Sequence, residues 1–529
     1  MTSLTGTGTM VRFILRRDRI RLPVWLVAII GLVYASAASV QGVYNTPEKM
    51  ASYAQTIGNS PASVVMSGPP VALDTIGGIT IFEVAASAIV ATALMAIFLI
   101  IRHTRTEEES GRTELLRATV LGRYAPMVAA LVVVSAAALV VGLGVAVTFI
   151  SLDLPVTGSL VYGTAIAAVG IVFTAVGALA AQVTEHARGA IGLGAAVLGA
   201  SFVLRGAGDV GDGTLSWLSP IGWSQAVHAF DGDRWWPLAI SLAFSAVLLA
   251  VSLALVEHRD VGAGLVAPRP GPRSASPRLS GAFGLAARLQ RGTLIGWASG
   301  LFLGGVAMGS VGREVRSLLE ENPEIADLMS MPDGADLVDA FFGTAMLLLA
   351  LVAAGFTVSS ALRLRSEETA GHAESLLATG LSRWRWTVSS LAVTTLGTVV
   401  VIGAGGLGTG LAHAIAIGDS SQVPRLLGVA LAYVPAALVL GGFAVALFGW
   451  APRAALAGWA ALVGCVVVGW LGGILDIPEW LADVSPFQHL PNAPLEPITA
   501  TPLVILSVVA VALAAVGLVG FRRRDVTLP

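Results

Sequence analysis

The sequence predicts an all-α polytopic membrane protein, two parallel repeats of six helices with both termini in the cytoplasm. Three observations lead there. Of 529 residues, 55% are hydrophobic and 12% charged, with a mean hydropathy of +0.81, whereas a soluble domain carries about 25% charged residues. Apolar runs near the ~20 residues that cross a bilayer recur along the whole chain. A charged stretch, RTEEESGRTELLRATVLGR from Arg105, returns as RSEETAGHAESLLATGLSR from Arg365.

The apolar runs predict twelve helices, the first six near 22–44, 78–101, 124–150, 158–183, 189–204 and 236–256. The second six fall near 291–311, 338–362, 384–415, 425–449, 454–475 and 500–521. The fifth is short and Gly-rich. Five arginines (Arg12, Arg16, Arg17, Arg19 and Arg21) precede a first run that reaches Tyr44, too long for a signal-peptide core, so it is read as a retained span. With the N-terminus inside, all but six of the 31 Lys and Arg fall on the cytoplasmic side; the six are Lys49, Arg205, Arg234, Arg313, Arg316 and Arg425. That bias follows the positive-inside rule, and Arg522–Arg524 anchor the last helix.

The two charged stretches align at an offset of 260 with ten identities in twenty positions, among them Arg105/Arg365, Glu107/Glu367, Glu108/Glu368, Gly111/Gly371, Glu114/Glu374 and Arg123/Arg383. Trp25/Trp297, Ser219-Pro220/Ser485-Pro486 and Arg259-Asp260-Val261/Arg524-Asp525-Val526 follow in the same order. An even number of spans per half makes the repeats parallel, about an axis along the membrane normal. The predicted organisation is a first repeat at 1–261, a Pro/Ser/Arg-rich cytoplasmic linker at 262–285 and a second repeat at 286–529. The cleft between such halves is the expected substrate path.

Several chemistries are excluded. A P-loop needs a lysine after its glycines, and the only lysine, Lys49, lies in NTPEKMA. The chain is therefore expected not to be an enzyme on its own and to hold no cofactor. The seven histidines lack metal-ligand spacing, the single Cys465 sits in an apolar run as packing, and no basic tract with aromatics suggests nucleic acid. Within the predicted spans one carboxylate stands out, Glu83, open to three readings: an interfacial acid, a substrate-facing group or a proton relay.

In the duplicated stretch, Glu107, Gly111 and Glu114 fall at i, i+4 and i+7, which predicts one helical face, with Glu108 beside it and Leu115 and Leu116 as an apolar edge. The second copy offers Glu367, Glu368, Gly371, Glu374, Leu376 and Leu377, and Arg123 and Arg383 close the two stretches. A single copy reads as a solvated acidic loop. Two matched copies suit docking to a twofold-symmetric partner.

Glu-x-x-x-Gly-(Arg/His)-x-Glu-x-Leu, then Ala-Thr and an Arg seven residues after the Leu, resembles the signature of type-2 ABC exporter permeases. The segments 216–230 and 483–494 look like that family's outer hairpins. The fused twelve-helix form is similar to actinobacterial polyketide-antibiotic exporters of the tetronasin type, which also act in multidrug efflux. The resemblance implies a multi-pass subunit of a bacterial, actinobacterial plasma membrane that exports hydrophobic or amphiphilic compounds. Its loops after the second helix of each half would be coupling helices for two copies of a separate ABC ATPase, which would carry the ATP and Mg. It also implies a substrate path on the first, second and fifth helices of each half, with Phe82, Glu83, Met95, Phe98, Phe341, Phe342 and Met346 as lining candidates. Thr369 in place of Glu109 and Ser375 in place of Leu115 make the two docking sites unequal. The rival readings are an ion-driven drug exporter and a non-transporting membrane partner or sensor of an ATPase.

Overall fold

The computed structural model describes residues 3–56, 61–118, 120–260, 262–266, 273–274, 276, 279, 281–321, 337–471 and 478–525. It divides into two compact units, Met1–Gly271 and Pro272–Pro529, within the stretch read as a linker. Among the described residues, eleven helices are long and apolar enough to cross a membrane, one fewer than the twelve predicted. The missing one is the eleventh, expected at 454–475. There Pro452–Ala454 form a 3-10 turn that delays the helix, which runs Ala457–Leu471 for 15 residues; 472–477 lie outside the described residues.

The first unit contains α1 (Thr7–Arg17), α2 (Arg21–Val43), α3 (Pro47–Thr56), α4 (Pro61–Ser67), α5 (Ile76–His103), α6 (Arg105–Glu109), α7 (Arg112–Arg117), α8 (Ala125–Ser151), α9 (Val156–Val183), α10 (Ala187–Val210), α11 (Pro220–Gln225) and α12 (Pro237–His258). The hub is α9, which packs on α5, α8 and α12. Of its most apolar window 83% is buried, against 22% for α2 and for α12, which keep apolar surface outward as lipid-facing helices do. Small residues allow the α8–α9 contact, because a Cβ on Gly142 or Gly163 would strike the other's carbonyl oxygen.

The fifth span is longer than predicted. Arg205 and Asp209 interrupt the apolar run, yet α10 continues through them to Val210 because the buried Arg205 is paired with the half-buried Asp209 at 3.4 Å. Arg205 also donates to the carbonyls of Val64 (3.2 Å) and Met66 (3.3 Å). Internal pairing of this kind removes the penalty that a lone charge would meet in lipid.

The second unit contains α13 (Ala282–Glu321), α14 (Leu337–Ala361), α15 (Arg363–Thr369), α16 (His372–Leu377), α17 (Arg383–Ile417), α18 (Gln422–Ala432), α19 (Val434–Trp450), α20 (Ala457–Leu471), α21 (Glu479–Ala482) and α22 (Ala500–Arg523). The predicted helix at 425–449 is two, broken at Tyr433 ahead of Pro435, which brings no N–H donor. Close backbone approach holds α13 to α17, where Gly305 lies against the Gly405 carbonyl.

The units differ at their first helices. In the first, an amphipathic α1 buries Met10 and Ile14, and the chain breaks at Asp18 before α2. Asp18 is fully buried, with its carboxylate held by His103 (2.7 Å) and Arg102 (3.3 Å). Seven residues before the paired tryptophans, the second unit has Gln290 in place of Asp18. Gln290 accepts a hydrogen bond from Ser360 at 2.5 Å, and α13 runs unbroken for 40 residues. A neutral amide needs no cationic clamp to be buried, so nothing there pins a kink.

Candidate functional site: the duplicated acidic helix pairs

The predicted single helical face is not formed. In the first unit the helix stops after Glu109, Gly111 turns with φ +71°, and a new helix starts at Arg112. In the second, Gly371 makes the same turn with φ +73° between α15 and α16. That left-handed backbone suits glycine and ends the 3.6-residue register. Glu107 and Glu114 therefore do not share a face, and each copy is a helix-turn-helix with an inner and an outer limb.

The inner limb carries buried charge. Glu107, 8% exposed, pairs with Arg17 and lies 3.7 Å from Arg112. Glu108 bridges Arg105 (2.5 Å) and Arg259 (2.7 Å). Arg105 has no exposure and donates to the carbonyls of Thr184 and Ala263. In the second unit Glu368, 1% exposed, is gripped by both terminal nitrogens of Arg524 at 2.5 and 2.8 Å, with Arg365 at 3.5 Å. Glu367 pairs with Arg363 (2.9 Å) and His372 (3.0 Å). Two-pronged guanidinium–carboxylate pairing fixes angle as well as distance. The Arg524 guanidinium also lies over the Phe448 and Phe521 rings at 4.9 and 5.1 Å.

Each unit thus has a clip from its acidic loop to the end of its last span. Arg259–Glu108 does this in one and Arg524–Glu368 in the other. Arg123 and Arg383 add a second tie. Arg123 donates to the carbonyls of Val256 and Glu257, and Arg383 to those of Phe521 and Arg524. Beside Arg123, the Tyr124 hydroxyl donates to Glu257, and that bond raises its pKa. Arg259 and Arg524 were not among the expected site residues. Their signal was present in the Arg-Asp-Val tripeptide that ends both repeats.

The outer limb is free. Glu114 is exposed and Leu115 is 74% exposed. Glu374 and Ser375 are exposed at the matching positions, with Leu376 and Leu377 half-buried. The Leu116 side chain lies outside the described residues. Behind the limbs are small cavities. One of about 50 Å³ lies among Met10, Arg17, Glu107 and Met127, and one of about 30 Å³ among Leu285, Leu289, Glu367 and Trp386.

The substrate-path candidates differ in their placement within each unit. Met95, Phe342 and Met346 are at most 1% exposed within their own units' cores, and Phe342 rests edge-on against His413 at 4.6 Å. Phe341 is half-buried against Phe342, 5.4 Å between centroids. Phe82 is buried in a cluster with Val40, Tyr53 and Leu73. Phe98 is 37% exposed beside Trp25. Glu83 is exposed and accepts a hydrogen bond from Tyr53. Burial, then that bond, raises the Tyr53 pKa.

A family model for the C-terminal domain of the multidrug efflux system permease Rv1217c matches residues 279–522. Along 528 residues, 99% of this chain and 96% of the relative, the sequence is 41% identical to the multidrug efflux system permease protein Rv1217c of Mycobacterium tuberculosis. Similarity of that extent, on a chain with eleven membrane-length helices, places the protein in the family of multidrug efflux system permeases.

Proposed function

We propose that this chain is the membrane-spanning subunit of an ATP-driven exporter of the type-2 ABC kind, expelling hydrophobic or amphiphilic compounds such as antibiotics from a bacterial cell. Two copies of a separate ATPase would supply the ATP and Mg chemistry and dock on the outer limbs, Glu114–Leu115 in the first unit and Glu374 in the second. The observation that carries the reading is the duplicated clip. An exposed acidic limb is joined through a glycine turn to an inner limb whose glutamate, half-buried Glu108 in the first unit and buried Glu368 in the second, is ion-paired to the end of the last span. A push on the outer limb would be passed to that span, because two or more charge-assisted bonds resist sliding better than apolar contact. The ion-driven alternative has little support, since the exposed Glu83 already accepts from Tyr53.

The test is substrate-stimulated ATPase activity of the reconstituted complex. Glu114→Arg and Glu374→Arg should each remove stimulation while the permease stays abundant in the membrane, because both side chains are exposed. If both variants keep full stimulation, the limbs are not couplers.

A further inference from the structure

At the opposite end of the first unit from its acidic loop, a cavity of about 40 Å³ opens between α5, α9 and the segment that follows α11. Its wall is mostly aliphatic and aromatic, with Ile81, Phe82, Ile89 and Ile166 among the lining residues. Three polar atoms on residues of that wall have no hydrogen-bond partner, the Tyr162 hydroxyl, Gln225 Oε1 and His228 Nδ1, the last lying 3.5 Å from the Asp231 carboxylate. Tyr162 is 4% exposed and its ring is stacked on Phe149 with 5.5 Å between centroids, so the hydroxyl cannot turn out to solvent. The Gln225 amide is oriented by the Ser67 carbonyl, which only the NH₂ group can serve, at 3.1 Å. Its oxygen is left as an unused acceptor. Buried polar groups are nearly always satisfied, so an unused hydroxyl on Tyr162 and an unused acceptor on Gln225 at one cavity imply an occupant.

The backbone around the cavity is strained. Ala72, His228, Phe230 and Asp233 have φ of +55°, +44°, +66° and +43°, in the region that side-chain residues rarely adopt. Strain of this sort gathers at ligand sites, where the surrounding structure holds it in place. No carboxylate, lysine or arginine lines the cavity, and the one lining histidine, His228, turns its Nδ1 toward the Asp231 carboxylate at 3.5 Å, which argues for a neutral occupant.

We infer that this cavity binds the hydroxyl end of a neutral apolar molecule, an alcohol or a phenol. A hydroxyl accepts from Tyr162 and donates to Gln225 at once, and the aliphatic wall takes the carbons beside it. The volume admits the hydroxyl and the first carbons, with the rest of the molecule standing in the open mouth. The site belongs to the first unit. Six residues past the serine of the shared Ser-Pro, where the first hairpin has Gln225, the second has Pro491, which offers no side-chain acceptor. The inference does not rest on ATP coupling.

The test uses the full chain in detergent and fluorine NMR of two probes, 4-fluorophenol and fluorobenzene. The Tyr162→Phe/Gln225→Leu double variant gives the micelle background. Binding of 4-fluorophenol above that background is expected, with fluorobenzene about tenfold weaker, the effect of one hydroxyl left unmatched. Tyr162→Phe, which keeps the stacked ring, and Gln225→Leu should each weaken 4-fluorophenol about tenfold. Tyr433→Phe in the second unit should leave it unchanged. Equal affinity for the two probes, wild-type binding by both single variants, or no binding above background would overturn the assignment and leave a cavity filled by water alone.

Discussion

Replacing Glu368 by alanine tests the clip most directly. The Glu368 side chain is fully buried, and its partner Arg524 retains 17% exposure. Removing one member of a buried pair strands the other, at a typical cost of 3–5 kcal/mol. Because Arg524 reaches some water, the lower end applies, about 3 kcal/mol. The cost should fall locally, on α15, α16 and the end of α22, since the apolar core of the unit is untouched. About 3 kcal/mol corresponds to an opening equilibrium roughly 100-fold larger. Hydrogen exchange read by mass spectrometry on peptides covering 363–377 and 518–525 should lose protection by about that factor, while peptides within α17 keep theirs. The Arg524→Ala variant and the double variant complete a cycle in which the two changes should be strongly non-additive. Additivity to within about 0.5 kcal/mol would show that the pair carries no coupling and would refute the reasoning.

Two further outcomes follow from backbone geometry. Gly371→Ala meets open space but forces a Cβ onto a left-handed backbone at φ +73°, so a loss of about 1 kcal/mol is expected in the stability of the acidic loop. The check is faster proteolytic nicking between α15 and α16, with the global melting temperature unchanged. Gly142→Leu should do the reverse, because its side chain would enter the α8–α9 contact against the Gly163 carbonyl and Ala167. Overpacking there costs about 1–3 kcal/mol or more, and a lowered melting temperature with reduced membrane abundance should report it.

The spans are legible in the sequence because a bilayer allows few solutions: backbone groups in hydrocarbon must be bonded within a helix, so long apolar runs mark helices. Errors arise where a local feature overrides that rule. Pro452 delays a helix start, Pro435 divides one span, and the paired Arg205 and Asp209 extend another past the end of its apolar run. The acidic stretch is legible as a duplicated element but not in its geometry. Helical periodicity puts Glu107 and Glu114 on one face, and a glycine whose backbone turns left-handed separates them. Nothing in the order of residues tells which of three consecutive glutamates is buried. That depends on Arg17, Arg105 and Arg259, brought together from up to 151 residues away.

Composition, run length and the repeated motif by themselves determined a many-helix membrane chain with a duplicated charged element and no P-loop lysine, since each of these depends on residue identity and near neighbours. The tertiary structure alone decided that Glu108 and Glu368 are the inner anchors, that Glu114 and Leu115 face outward, and that Met95, Phe342 and Met346 are core. A charge or a ring has no intrinsic role in lipid. Its role is set by whether packing places a partner within bonding distance, and that is settled only when distant segments meet.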